Sequence, residues 1–280
     1  MSTEKQRRQA AQRHLQKQLE RRAEQAARRR KTLGILATVV SVLVVVGAVL
    51  LLTGAFSGDE PDGTSAAAGS SAPEGSAPAD RTNADGTANC AYTPDESGNP
   101  NLTDVGTPPT PEATPTTGTT TLLMSTGQGD ITLTLDRAKA PCAAASFAYL
   151  AAEKFFDGSP CHRMVNGESF GVLQCGDPSG TGQGGPTYKY AEEVTADTTY
   201  PRGTIAMAKS GAPNTTGSQF FLVFADAQLP PDYTVVGTVD EAGLAVLDQI
   251  AAAGNDGSLE PSPGGGKPNV PVVINTMTVL

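Results

Sequence analysis

The sequence predicts a mainly β domain over residues 119–280, built from short antiparallel strands with two helices and preceded by an apolar helix and a linker. Three observations carry this. Apolar and polar residues alternate from Thr119 onward; successive side chains on a strand face opposite ways, so a period of two marks a half-buried strand. Two later stretches repeat apolar residues at the helical period instead. Leu33 to Leu52 is a run of twenty uncharged residues, interrupted only by Gly34, Thr38, Ser41 and Gly47. Many short strands with two helices in roughly 160 residues point to an antiparallel barrel or sandwich.

Residues 1–31 hold eleven Lys and Arg against three Glu, a charge of +8, with no Gly or Pro; the rest of the chain carries −17, for a total of −9. Ala, Gln, Glu, Arg and Lys favour a helix there. The uncharged run, as a helix rising about 1.5 Å per residue, spans ~30 Å, the hydrocarbon thickness of a bilayer. A cleaved signal peptide has an apolar core of only about 7–15 residues. Residues 33–54 are therefore expected to be an uncleaved signal anchor. The excess of Arg and Lys before it places 1–31 in the cytoplasm and the remainder outside, giving a single-pass cell-membrane protein. The basic tail reads as a solvated topology signal; binding to anionic headgroups is the functional alternative. Residues 55–89 are Gly, Ser, Ala, Asp, Pro and Thr with almost no large apolar side chain, a flexible tether that cannot bury enough surface to fold. Residues 90–118 form an irregular Pro/Thr-rich segment around Cys90, expected to lie on the domain.

Within the domain, Thr119–Ser125 and Ile131–Leu135 read as strands joined by a Gly-containing turn. Pro141 opens an Ala-rich helix with Phe147, Leu150 and Phe155 on one face, expected to end before Gly158. Strands follow at Pro160–Val165 and Gly171–Cys175, then a Gly-rich loop from Gly176 to Gly185. Thr204–Ala208, Gln219–Phe224 and Thr234–Val239 are further strands. Leu244–Ala253 is the second helix, closed by Gly254, and Val272–Leu280 the last strand.

Several chemistries are excluded. A net charge of −9 argues against nucleic-acid binding. Two His residues and no CxxC pair leave no set of zinc ligands, and no metal or other cofactor is expected. Gly180-Thr-Gly182-Gln-Gly184-Gly185 matches G-x-G-x-x-G, but Pro186 follows and no βαβ unit surrounds it. A hydrolase would need His162 as base; its neighbour Cys161 points to the opposite face of a strand.

One constellation remains: Cys161-His162-Arg163-Met164, then Val172-Leu173-Gln174-Cys175-Gly176-Asp177, then Met207-Ala208, then Asn214-Thr-Thr-Gly217-Ser218-Gln219-Phe220-Phe221. It resembles the cyclophilin family of peptidyl-prolyl isomerases over about Thr119 to Leu280. GDPSGTGQGGPTY is similar to the loop of bacterial, actinobacterial-type members. The resemblance implies an eight-stranded antiparallel barrel capped by two helices. It also implies a role for each matched residue. Arg163 is the catalytic cation, Gln174 orients it, and Phe221 floors the proline pocket. His162, Phe170, Val172, Ala208, Lys209, Gln219, Leu229 and Tyr233 contact the peptide, with Ala208 and Lys209 holding it like an added strand. Outside such a motif, Phe221 and Val172 would be ordinary core residues and Arg163 a surface arginine. The chemistry suits these residue types. Rotation about an X–Pro bond breaks no bond, so an enzyme need only hold the twisted amide better than either planar form. A permanently charged arginine aimed at the prolyl nitrogen does this.

The chain departs from the family pattern in places. Arg163 and Gln174 are eleven positions apart where eight is common, with the extra residues in Asn166–Phe170. Trp is absent, and Tyr233 stands where the family has a pocket histidine, so cyclosporin binding is expected to be weak while activity is kept. All four cysteines fall outside the membrane, where disulfides form. Cys161–Cys175 and Cys90–Cys142 are the pairings we expect, although four cysteines allow three arrangements. The expected function is isomerisation of Pro-containing segments of secreted or envelope proteins. The alternative is a cyclophilin-like module that binds such segments without turnover.

Overall fold

The structure, a computed structural model, describes residues 82–167 and 170–280. The basic tail, the apolar run 33–54 and the linker up to residue 81 lie outside the described residues. Among the described residues no helix is long and apolar enough to cross a membrane. Residues 82–89, read above as tether, are folded onto the domain: Thr82 bridges Ala88, which bridges Thr114.

The irregular segment supplies two short strands, β1 (Thr93–Pro94) and β2 (Leu102–Thr103). Then the alternation expected from the sequence appears. In β3 (Thr119–Thr126) the buried side chains include Leu122 and Met124, and in β4 (Gly129–Asp136) they are Ile131, Leu133 and Leu135. The two pair along their whole length, from Thr119 opposite Asp136 to Thr126 opposite Gly129.

Helix α1 (Pro141–Ala152) starts at its proline. Ala140 offers no side-chain cap; the Glu193 carboxylate instead accepts from the N–H groups of Cys142 and Ala143 at 3.0 and 2.8 Å. It thereby satisfies orphan donors at the positive end of the helix. The helix stops six residues short of Gly158. Lys154 turns into the left-handed region (φ 58°), and the chain doubles back to bury Phe155 and Phe156 in the core. Burial of two aromatic rings outweighs continuation of the helix.

The expected strand at 160–165 is split into β5 (Ser159–Pro160) and β6 (Arg163–Gly167), followed by β7 (Phe170–Cys175). After β8 (Gly185–Pro186) and β9 (Tyr188–Lys189) come β10 (Thr204–Met207), β11 (Phe220–Ala225) and β12 (Val235–Val239). Helix α2 (Glu241–Ala253) is capped by Asp240, whose side chain accepts from Gly243 N–H, and it ends at Gly254 (φ 75°). The chain closes with β13 (Val273–Val279).

Nine of these strands form one sheet in the order β5-β13-β3-β4-β12-β10-β11-β7-β6. Its two end strands are separated in sequence only by Cys161 and His162, so the sheet curls back toward itself. Nine strands stand where eight were expected because one stretch is interrupted at Cys161-His162. Phe147 and Leu150 of α1 and Leu244, Leu247 and Ile250 of α2 are buried with the inward faces of the sheet in one core.

Residues 88–114 wrap the outside as a belt. β1 pairs antiparallel with β9, and β2 pairs parallel with β8. Cys90 is bonded to Cys142 at the start of α1. Tyr92 donates to the Cys142 carbonyl at 2.8 Å and packs edge-on to Tyr188 and Tyr190, ring centres 5.3 and 5.6 Å away.

Candidate active site

Strand β11 is apolar at Phe220, Phe221, Leu222, Val223 and Phe224, with no alternation. Such a strand must be covered on both faces. Phe220, Leu222 and Phe224 point into the main core. Phe221 and Val223 point outward, into a second cluster with Val172, Tyr200, Ala206, Ala227 and Val235. Phe170, Ala208, Leu229 and Tyr233 pack on this cluster while remaining partly open. Tyr233 stands edge-on to Phe221, ring centres 5.6 Å apart. The Tyr200 hydroxyl donates to the Tyr233 carbonyl at 3.0 Å and accepts from its N–H at 2.9 Å, fixing that wall. Tyr200 was not singled out from the sequence; its buried ring takes the place of an ordinary core aromatic.

The polar side of the site comes from the β6–β7 hairpin. Its register sets Arg163 directly opposite Gln174, with Gly167 opposite Phe170. The eleven-residue spacing is thus a longer hairpin, and Phe170 still reaches the cleft. Arg163 Nη1 donates to Gln174 Oε1 at 3.1 Å. Gln174 Nε2 donates to Gln219 Oε1 at 2.9 Å. Gln219 Nε2 donates to the carbonyls of Gly182 and Gly184 at 3.1 and 3.0 Å. An amide has one accepting and one donating end, so a cation at the head of this chain fixes the orientation of both glutamines. Two further bonds hold the guanidinium: Nε to the Gly264 carbonyl at 2.9 Å and Nη2 to the Pro263 carbonyl at 2.7 Å. Burial draws the arginine pKa down, opposed by Tyr233 and Glu260, but an arginine stays charged throughout the working range.

Two loops hold this network, the Gly-rich loop expected from the sequence and a second one, 255–267, that was not. In the Gly-rich loop, Asp177 accepts from Ser179 N–H at 2.8 Å and Gly182 N–H at 2.6 Å. Burial alone would raise its pKa; the hydrogen bonds from Ser179 and the loop amides outweigh it and hold the carboxyl below its ordinary value. In the loop 255–267, Asp256 Oδ1 accepts from Ser258 and Lys267 N–H, both at 2.9 Å. Glu260 Oε1 accepts from Gly265 N–H at 2.6 Å. The sequence signals for this second loop are the turn pairs Asp256-Gly257 and Pro263-Gly264 and the run Gly264-Gly265-Gly266.

Arg163, Phe170, Val172, Gln174, Phe221 and Tyr233 line one cleft of about 560 Å³. His162, Ala208, Lys209 and Leu229 line it too, as do Ser258, Leu259, Pro263 and Lys267 of the 255–267 loop. Gln219 stands behind Gln174. The Lys209 ammonium is turned to Asp232 at 3.0 Å. His162 Nδ1 is buried without a hydrogen-bond partner; burial lowers its pKa, Asp177 opposing and Arg163 adding to the effect. Cys161 is bonded to Cys175, so it has no thiol to offer His162, and a Cys–His dyad is ruled out. Among the described residues no group of three or more His, Cys, Asp or Glu is placed to hold a metal ion. The site joins a fixed cation to an apolar floor, and holds no activated nucleophile.

Known proteins resemble this chain over its folded domain. Residues 121–279 match the family model for the cyclophilin-type peptidyl-prolyl cis-trans isomerases. The chain is 47% identical over 181 residues to a probable peptidyl-prolyl cis-trans isomerase B of Mycobacterium leprae, covering 59% of each. It is 43% identical over 205 residues to its counterpart in Mycobacterium tuberculosis, covering 68% of this chain and 63% of that one. It thus spans about three fifths of the length of these relatives. Among solved structures it is similar to a cyclophilin-type isomerase of Cryptosporidium parvum, with a TM-score of 0.50 and 27% identity, covering 58% of this chain and 98% of the other. The chain belongs to the cyclophilin-type peptidyl-prolyl cis-trans isomerase family.

Proposed function

We propose that the protein accelerates cis–trans rotation about X–Pro bonds and that Arg163 is its catalytic cation. The observation that carries this is the Arg163 guanidinium, tied by three acceptors at the rim of a cleft floored by Phe221 and Val172. Amide resonance sets a barrier of roughly 18–20 kcal/mol. When the bond twists, resonance is lost and the prolyl nitrogen regains a lone pair. A cation already fixed beside it stabilises that state and gains little in the planar forms, which is the requirement for catalysis. Phe221, Val172 and Tyr233 hold the pyrrolidine ring by apolar contact. Gln174 and Gln219 keep the cation from rotating away. Ala208 and Lys209 offer backbone to the peptide. The eight-stranded barrel of the family, with the 159–167 stretch counted as one bent strand, is the frame for these roles.

The same proposal covers location. Residues 33–54 anchor the chain in the cell membrane, with the tail 1–31 cytoplasmic and the folded domain extracytoplasmic on its tether. Two disulfides among the described residues support an oxidising compartment. The clients are then Pro-containing segments of secreted or envelope proteins. With no Trp in the chain, cyclosporin binds weakly. The test is isomerisation of an Ala-Pro peptide by the full chain in detergent micelles. Acceleration is expected. A folded protein that binds Pro-containing peptides without accelerating them would instead be a binding module.

A further inference from the structure

The described residues hold eight Lys and Arg against twenty Asp and Glu. Arg163, Lys209 and Lys267 nevertheless line the cleft, and none of those carboxylates does, so the cleft is locally positive in an acidic domain. Lys209 is already matched, by Asp232 at 3.0 Å. Arg163 donates only to neutral acceptors, the Gly264 and Pro263 carbonyls and Gln174. Lys267 is exposed. Among the described residues neither Arg163 nor Lys267 makes an ion pair. The two carboxylates of the 255–267 loop are spent on its backbone: Asp256 Oδ1 accepts from Ser258 and Lys267 N–H, and Glu260 Oε1 from Gly265 N–H.

The backbone sets these two cations side by side. Met164 and Gly266 bridge antiparallel and exchange both hydrogen bonds: Met164 N–H donates to the Gly266 carbonyl at 2.7 Å, and Gly266 N–H to the Met164 carbonyl at 3.1 Å. The adjoining pair is Arg163 opposite Lys267. At such a position no hydrogen bond is exchanged, Cα atoms approach to about 4.5 Å and the two side chains share a face. Like charges directly opposite each other destabilise the pairing, and any neutral residue at 267 would relieve the repulsion. Local rules of this kind are broken where function requires it. We propose that Lys267, backed by the charge of Arg163, receives a carboxylate side chain of the substrate, so that the enzyme favours segments with Asp or Glu close to the proline. The proposal rests on the isomerase reading and names the segments that site prefers. It leaves the catalytic cation free to act: a guanidinium has five N–H donors, three of those on Arg163 are used within the protein, and Lys267 has its own ammonium for the carboxylate.

The test uses the full chain in micelles of an uncharged detergent and peptides around one proline. The two residues before it and the two after it are varied in turn as Asp, Glu, Asn, Gln and Lys. At one position, kcat/KM for the acid is expected to exceed that for its amide by about fivefold, the upper end for an exposed ion pair, with Lys slower still. In 1 M NaCl, where the Debye length is about 3 Å, the acid-to-amide ratio is expected to fall below about twofold. Lys267→Gln is expected to lower it as far at low salt, and Lys267→Glu to invert the order, so that the Lys peptide outruns the Glu peptide. Lys267 is tied into its loop through its backbone, by N–H to Asp256 Oδ1 and by its carbonyl to Asp256 N–H, and both substitutions keep those bonds. Each ratio is read within one preparation, so partial loss of folded protein does not move it. Flat preferences at every position, a preference for Lys in the parent, an acid preference indifferent to salt, or one that survives Lys267→Gln or Lys267→Glu would overturn the carboxylate site while leaving the isomerase reading intact. No acceleration of any peptide would overturn both.

Discussion

Replacing Gly265 by alanine asks whether the backbone of the 255–267 loop holds Arg163 in its working position. Gly265 has φ +74°, and an L-residue there costs roughly 1–2 kcal/mol. A Cβ on it would lie 2.1 Å from the Met164 carbonyl oxygen and 2.9 Å from Val165 Cγ2. The carbonyl belongs to β6, paired along its length with β7, so the loop must move instead. It would take with it the Pro263 and Gly264 carbonyls that accept from Nη2 and Nε. Hydrogen bonds to a charged group are worth about 1.5–3 kcal/mol each. Arg163 keeps its bond to Gln174 and the loop carbonyls shift rather than vanish, so we expect the equivalent of about one bond to be lost from the rate, a fall in kcat/KM of about 10- to 100-fold. Gly257 is the control. It also has a left-handed φ, +63°, but a Cβ there meets nothing within 4 Å, and alanine should cost the rate much less. The assay is isomerisation of an Ala-Pro peptide, with near-ultraviolet circular dichroism to show that each variant is folded. A folded Gly265→Ala protein within twofold of the parent rate would refute the idea that the loop positions the cation.

Other outcomes follow from the same geometry. Cys161 and Cys175 are 14 residues apart and flank Arg163 and Gln174; replacing both by Ser should cost about 3 kcal/mol and lower the rate as the hairpin loosens, measured by denaturant melts and kinetics. His162 has a folded-state pKa below 6.5, chiefly through burial, so the unfolded chain binds the proton more readily. Its contribution is complete above about pH 6.5 and lost as pH falls toward the lowered value; His162→Gln should flatten that part of the stability–pH curve. Phe221 is only 6% exposed, and Phe221→Ala should cost about 3–5 kcal/mol while raising KM more than it lowers kcat.

The sequence made the long paired strands legible because their burial follows simple alternation. β3 and β4 fall within a residue or two of the expected spans, and the unbroken apolar run of β11 already required cover on both faces. The end of α1 was not legible, since the turn at Lys154 is imposed by distant core that accepts Phe155 and Phe156. The belt was not legible as structure either: its two-residue strands are too short to show a period, and their partners lie some 80 or more residues away in sequence. At the site, residue types alone left Arg163 an unremarkable arginine, and the family resemblance singled it out. The cross-strand register explains why eleven positions still pair it with Gln174. What grips the guanidinium from the other side is two backbone carbonyls, which every residue carries, so no sequence pattern could announce them. Asp177, Glu193 and Tyr200 act through bonds to backbone or to distant loops and were hidden for the same reason.

The central claim is that a fixed Arg163 stabilises the twisted prolyl amide. The most direct measurement compares Ala-Pro isomerisation by the full chain with that of Arg163→Ala, alongside titration of a Pro-containing peptide into each. Removing one preorganised electrostatic group should lower kcat/KM by about 10²–10³, with peptide affinity changed only a few-fold because the apolar floor of Phe221 and Val172 remains. A folded Arg163→Ala protein that isomerises at a rate within a few-fold of the parent would contradict the claim.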